Sequence, residues 1–192
     1  MKNVIILGAS GNIAQHVIEI LLKNDDINLT LFLRNKNRLK NKNLLKARII
    51  EGDVLKFNQL KEAVEGQDIV YANLAGDLEA MAKNIVKAME ETSDKKLIFI
   101  SSIGIYDEPV NAVLKPYRKA ADIIEASGLD YTILRPTWFT NTNEVDYETT
   151  KKGEPEKGSV ISQKGLATFI TKIIETPEKY SRENLGINKP NS

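Results

Sequence analysis

The sequence predicts an α/β protein: one doubly wound parallel sheet with helices on both faces. Three observations predict it. Short apolar runs rich in β-branched residues recur along the chain, and stretches of helical periodicity separate most of them. The runs are almost continuously apolar and do not alternate with polar residues, which marks strands buried on both faces. The chain shows no internal repeat and no linker-like composition, so residues 1–192 read as one domain.

Val4-Ile5-Ile6-Leu7 is the first strand, followed by the turn Gly8-Ala9-Ser10-Gly11 and an apolar periodic run from Ile13 to Leu22. Asn28-Leu29-Thr30-Leu31-Phe32-Leu33 is the second strand, ending at Arg34, and Ala47-Arg48-Ile49-Ile50-Glu51 is the third. Asp68-Ile69-Val70-Tyr71-Ala72-Asn73-Leu74 forms the fourth, with a helix from about Leu78 to Glu91 behind it. Lys96-Leu97-Ile98-Phe99-Ile100-Ser101 is the fifth, and a helix follows from about Lys115 to Ala126. Tyr131-Thr132-Ile133-Leu134-Arg135 is the sixth, closed by Pro136, which cannot donate to a ladder. Ser162 is placed to cap a last helix with Leu166, Phe169, Ile170, Ile173 and Ile174 on its apolar side. Polar, irregular 141–158 is the one segment whose composition suits a mobile flap. Right-handed crossovers between such units give a Rossmann sheet of strand order 3-2-1-4-5-6.

Charge and composition narrow the partners. With 27 basic and 26 acidic residues the net charge is +1, so no global field recruits nucleic acid or a membrane surface. The absence of cysteine removes disulfides and thiolate chemistry and fits a cytoplasmic protein. No apolar run approaches the ~20 residues of a membrane span, and Met1-Lys2-Asn3 leads straight into the first strand with no signal-type segment. The single histidine, His16, falls within the first helix, where a surface or packing role suits it. No metal site is expected.

In an open parallel sheet, ligands bind beyond the carboxyl ends of the strands at the switch point of strand order. Gly8 permits the sharp turn there, and Gly11 is expected to let the backbone approach a pyrophosphate at the helix start. The spacing is G-x-x-G-x-x-A, a departure from G-x-G-x-x-G; its place directly after a buried strand carries the reading. Arg34 stands where an NAD-binding domain carries an acid that holds both ribose hydroxyls. A guanidinium there pairs instead with a 2′-phosphate, so NADP(H) is preferred over NAD(H). From Arg34 to Arg48 there are seven basic residues and no acidic one. Lys40, Lys42, Lys46 and Arg48 are read as a solvated surface helix and the strand beside it. The segment lacks base-stacking aromatics, which argues against nucleic acid.

These residues also carry a resemblance. Gly8-Ala9-Ser10-Gly11, Leu33-Arg34, Gly52-Asp53, Ile100-Ser101-Ser102 and the run from Ser127 through Gly128-Leu129-Asp130-Tyr131 to Arg135-Pro136 resemble the atypical short-chain dehydrogenase/reductase group. Within it the chain is most similar to small NmrA-like and flavin- or biliverdin-reductase-like NAD(P)H-binding proteins. The resemblance implies that Gly8, Ala9, Ser10, Gly11, Asn12 and Ile13 surround the pyrophosphate, that Arg34 holds the 2′-phosphate, and that Asp53 and Val54 meet the adenine. It implies that Ala72, Asn73 and Leu74 line the adenosine side, with Ser101, Pro136 and Thr137 toward the nicotinamide.

The catalytic pattern departs from that group. Ser102 holds the serine position, and Tyr117 is the candidate tyrosine. Four residues after Tyr117 stands Ala121, not lysine, and Lys119 at two residues on points to a different helix face. The only Tyr-x-x-x-Lys, Tyr147 to Lys151, lies past strand six and is read as coincidence. Reduction of a flavin or quinone does not need the pair, so a small oxidoreductase acting on a flat acceptor fits. An NADP(H)-sensing regulator with a protein partner and no turnover fits as well. Trp138 and Phe139 either wall a flat-substrate pocket or pack their loop on the last helix. Tyr106 is read as part of the loop after strand five.

Overall fold

The computed structural model describes residues 1–40, 43–92 and 96–192. Strand β1 (Lys2–Leu7) is the centre of the sheet because nothing in its middle tolerates water: Val4, Ile5, Ile6 and Leu7 are all fully buried. Each such side chain contributes about 1.5–3 kcal/mol when removed from water on both faces of a sheet. Helix α1 (Asn12–Leu21) follows, then β2 (Ile27–Leu33), β3 (Ala47–Glu51), α2 (Phe57–Val64) and β4 (Ile69–Ala72). The second half runs α3 (Leu78–Thr92), β5 (Lys96–Ile100), α4 (Lys115–Ala126), β6 (Asp130–Pro136) and β7 (Trp138–Thr140). Then come β8 (Glu148–Lys151), β9 (Val160–Ser162), α5 (Gln163–Glu175) and β10 (Glu183–Asn188).

Eight strands form one sheet in the order β3-β2-β1-β4-β5-β6-β10-β8. The expected order 3-2-1-4-5-6 is present, and every pair within it is parallel. Helices α1 and α5 cover one face, where Ile13, Val17 and Leu21 share a core cluster with Phe169, Ile170 and Ile173. Helices α2, α3 and α4 cover the other, through Leu60, Ile85, Met89 and Ile124. Ser162 caps α5 as expected, its Oγ accepting from Gly165 N at 2.8 Å.

The structure departs from the sequence reading in three details. Among the described residues no surface helix carries the basic run: a single 3-10 turn, Lys36–Arg38, is the one helical element there, and Lys46 lies in a turn before β3. Lys42 lies outside the described residues. The apolar residues of the segment that pack on the core, Leu39 and Leu44, are five apart and fall off one helical face, and tertiary packing supplies most helical stability. The segment 141–158 is irregular except for β8, which pairs antiparallel with β10. The all-parallel sheet is thus mixed at that edge, and β10 is a further parallel strand beside β6. Buried Asn184 and Asn188 and the short run of β10 hid it in the sequence.

Candidate functional site

The strand ends open onto two connected clefts, separated by the side chains of Asn73 and Leu74, which line both. The first, about 240 Å³, is built from the β1 turn and the ends of β2, β3 and β4. In the β1 turn the Gly8 and Ala9 amides donate to Phe32 O at 3.0 and 3.3 Å, and Gly11 N donates to Gly8 O at 3.0 Å. Gly8 sits at φ +79°, where L side chains are strained, and a Cβ there would lie 2.2 Å from Asn73 O. A Cβ on Gly11 would lie 2.2 Å from Asn73 Nδ2. The intimate neighbour of both glycines is therefore the chain's own turn after β4.

Helix α1 begins at this cleft with no side-chain cap and no acid in its first turn. Its positive end is left for an anion from outside. Arg34 and Arg38 line the same cleft, and among the described residues neither guanidinium has a carboxylate partner. Asn35 holds the 3-10 turn that carries Arg38, its Oδ1 accepting from Asn37 N at 2.9 Å. Glu51, the first acid after Arg34, is occupied: it accepts from Lys36 N at 3.0 Å and faces Lys36 Nζ at 3.7 Å. Asp53 turns its carboxylate to Leu55 N, 3.0 Å, and Val54 forms buried floor with its carbonyl on Asn84 Nδ2, 2.9 Å.

The second cleft, about 360 Å³, lies between the ends of β5 and β6 and the start of α4. Its walls include Ile13, Ile100, Ser101, Ser102, Leu114, Tyr117, Pro136, Thr137, Trp138 and Phe139. Ser102 Oγ donates to Ile103 O at 3.1 Å, whereas Ser101 Oγ is buried with no partner among the described residues. An orphaned hydroxyl on a cleft wall is a donor and acceptor held for a ligand or water. Trp138 is 78% exposed, so it does not pack its loop on α5. It is nevertheless held: β7 pairs with β9, and Trp138 N donates to Ser159 O at 3.2 Å.

Most of the expected residues converge. Gly8, Ser10, Gly11, Arg34, Asp53 and Val54 line the first cleft, and Ile13, Ser101, Ser102, Tyr117, Pro136 and Thr137 the second, with Asn73 and Leu74 between. Ala9 and Ala72 do not reach either: both are fully buried in the core beneath. The Asn12 side chain faces solvent. Sequence reasoning missed Phe32, Asn35 and Met81 on the first cleft and Leu114 on the second; among these only Asn35, a polar residue in a turn beside Arg34, carried a readable signal.

No lysine reaches Tyr117 from its own helix, since Lys119 Nζ is held by Glu79 Oε2 at 2.7 Å across on α3. Tyr147 packs its ring on Phe169, centroids 4.8 Å apart, and Lys151 pairs with Glu183, so the literal Tyr-x-x-x-Lys forms no site. Tyr106 lines neither cleft; its hydroxyl accepts from Asn184 Nδ2 at 2.7 Å. Burial first, then the Glu125 carboxylate, pushes that phenol above its ordinary range. A roomier cleft of about 640 Å³ lies at the opposite ends of the strands, beside Lys2, Asp68, Lys96 and Asp130. It lacks the glycine turn, and its buried cation is used: Lys96 Nζ donates to Asp130 at 3.1 Å and to Tyr180 O at 2.9 Å.

A glycine turn into an uncapped helix, unpaired guanidiniums after β2 and a second cleft across the switch point define a dinucleotide-binding Rossmann protein. The match of an NAD(P)H-binding family to residues 8–177 agrees, and the chain belongs to that family. A Rossmann-fold NAD(P)-binding family protein from Shigella flexneri is 50% identical, superposes with a TM-score of 0.94, and covers 100% of this chain and 95% of its own. A short-chain dehydrogenase/reductase from Veillonella parvula, solved in complex with NADP, is 25% identical with a TM-score of 0.87, covering 99% and 95%. An isoflavone reductase homologue, A622-like, from Nicotiana tabacum is 23% identical over 94% of this chain, which spans only 66% of that relative's length. Among the described residues no helix is long and apolar enough to cross a membrane.

Proposed function

We propose that this chain is a small NADP(H)-dependent reductase of the atypical short-chain type, acting on a flat conjugated acceptor such as a flavin or quinone. The observation that carries it is Arg34, with Arg38 beside it, lining the first cleft with no carboxylate partner among the described residues, while the acid on that lining, Asp53, accepts from Leu55 N. In this reading Arg34 and Arg38 hold the 2′-phosphate, the α1 start and Ser10 hold the pyrophosphate, and the nicotinamide ring lies toward Ser101, Pro136 and Thr137. Bound NADPH supplies a hydride, and the acceptor takes it with one proton from water and leaves reduced. The chain's own part is to orient: Asn73 and Leu74 line both clefts, between the two halves, and the uncharged walls of the second cleft hold the reacting ring while leaving it open to the water that supplies the proton. Tyr117 has no lysine one turn on to assist it, which favours acceptors protonated by solvent over ketones and aldehydes.

Titration of NADPH and NADH tests the reading directly. NADPH is expected to bind about tenfold or more tighter, from one charge-assisted pairing of ~1.5–3 kcal/mol. Arg34→Asp reverses the order; superimposable curves for the two cofactors in the wild type overturn it. The ion pair that takes Lys119 away from Tyr117 also supports a second reading, an NADP(H)-responsive regulator. NADPH binding without oxidation across a panel of flavins, quinones and aldehydes, together with a protein captured only when NADPH is present, would favour the regulator.

A further inference from the structure

In the reductase reading the first cleft is the cofactor cleft and the second the acceptor cleft, and they differ in charge. Two guanidiniums and the Asp53 carboxylate line the cofactor cleft, whereas every described residue lining the acceptor cleft is uncharged. The cations nearest in the chain are committed elsewhere. Lys119 is bound to Glu79, and Arg118 donates to Asp122 at 2.9 Å and to Ile105 O at 3.2 Å. Lys164 is on Asn143 and Lys189 on Glu144. Lys115, exposed at the first position of α4, is two residues from Tyr117 and so projects roughly 200° around the helix from it. The start of α4 offers little to an anion either, because Lys115 N already donates to Ala112 O and Pro116 has no N–H. What the cleft does offer is a largely exposed indole, carried on the paired strand β7, with apolar walls, Ile13, Ile100, Leu114 and Phe139.

We propose that the acceptor cleft selects an uncharged planar ring, gripped by stacking on Trp138, and gives no added affinity to a phosphate, carboxylate or sulfonate carried on that ring. The inference rests on the reductase reading for the purpose of the cleft, and on its lining for the selection. Moving an ionised substituent into a cleft without a partner forfeits its hydration for nothing in return. Stacking on an aromatic face needs no charge on the ring.

The chain carries its own probe. Trp138 is the single tryptophan, so all indole fluorescence arises at the wall of this cleft. Wild-type protein saturated with NADP⁺ is titrated with riboflavin against FMN, and with 1,4-naphthoquinone against a naphthoquinone sulfonate, free N-acetyltryptophanamide correcting for absorbance. Saturable quenching is expected from both neutral rings, each binding at least as tightly as its anionic counterpart. In turnover, Trp138→Ala is expected to raise the KM for riboflavin roughly tenfold and leave the KM for NADPH unchanged. FMN or the sulfonate binding tenfold tighter than its neutral partner overturns the inference, as does the absence of saturable quenching by both neutral rings. The two readings fail separately. Quenching in the expected order without NADPH oxidation keeps the selection and removes the reductase; oxidation that favours the anionic acceptors keeps the reductase and removes the selection.

Discussion

The β1–β4 side of the sheet and the β6–β10–β8 edge are held by opposite kinds of contact. Around the glycine turn the contacts are backbone on backbone: Gly8 N on Phe32 O at 3.0 Å, and Asn73 N on Leu7 O at 3.0 Å. At the far edge they run between polar side chains. Buried Arg135 donates from Nε to Glu156 Oε1 at 2.8 Å and from its terminal nitrogen to Asn184 Oδ1. Asn184 Nδ2 in turn donates to Tyr106 and to Glu125 Oε1, each at 2.7 Å, and Lys152 reaches Glu125 at 2.6 Å. Arg118, Lys152 and Arg135 all face the Tyr106 ring, at 4.7, 4.5 and 5.4 Å. The glycine side tolerates no added atom. The charged edge tolerates no lost partner.

The largest effect should come from adding one methyl group on the glycine side. Gly8→Ala sets a Cβ 2.2 Å from a backbone oxygen at a positive φ, and neither atom can move without opening β4. A loss of about 4 kcal/mol or more in urea unfolding is expected. A near-wild-type midpoint would mean that the turn opens freely and that the comparison is drawn too sharply. On the other edge, Glu156→Ala strands the Arg135 guanidinium in a buried site. Because Glu156 is itself a quarter exposed, a loss of about 2–4 kcal/mol is expected, with NADPH affinity unaltered, since neither residue lines the cofactor cleft. If the variant keeps full stability, water has replaced the carboxylate and the edge is wetter than its burial suggests.

A milder test sharpens the difference. Gly11→Ala meets a side-chain nitrogen and not a backbone oxygen, so about 1–2 kcal/mol is expected, and Asn73→Ala in the same chain should restore most of it. Additive losses in the double variant would place the strain elsewhere. The smallest effect belongs to Lys119→Met. Hydrogen bonds first from Lys119 and then from Lys83 hold the Glu79 carboxyl at about 2, below the usual 4.5. A depressed carboxylate stabilises the fold above its unfolded pKa and loses that stabilisation as the pH falls from about 4.5 toward 2. Removing Lys119 should therefore make acid unfolding begin at a slightly higher pH, more visibly at low salt, and leave turnover unchanged. Loss of turnover instead would show that Lys119 leaves Glu79 and reaches Tyr117.

The glycine side was legible because its signals are local. Val4 to Leu7 announces a strand buried on both faces, Gly8 directly after it announces a turn, and Arg34 ends a strand whose next acid is Glu51. The cofactor cleft follows once the strands are ordered. The charged edge was not legible, because β10 is strung between polar residues and its meaning depends on groups far away in the chain. Arg135 and Glu156 are 21 residues apart, and Asn184 stands 49 from Arg135 and 78 from Tyr106. Read alone, each is an ordinary polar residue; together they bury a cation.

The sequence by itself determined the strand order through β6, and with it that Gly8, Gly11 and Arg34 meet at the same strand ends, since apolar runs, glycines and arginines act where they stand. Tertiary structure alone decided which atoms a Cβ on Gly11 would meet, that Ser101 and not Ser102 keeps a hydroxyl without a partner among the described residues, and that the Trp138 side chain is largely exposed. Those depend on which groups meet across the fold, and hydrogen bonds between distant residues leave no period and no spacing to read.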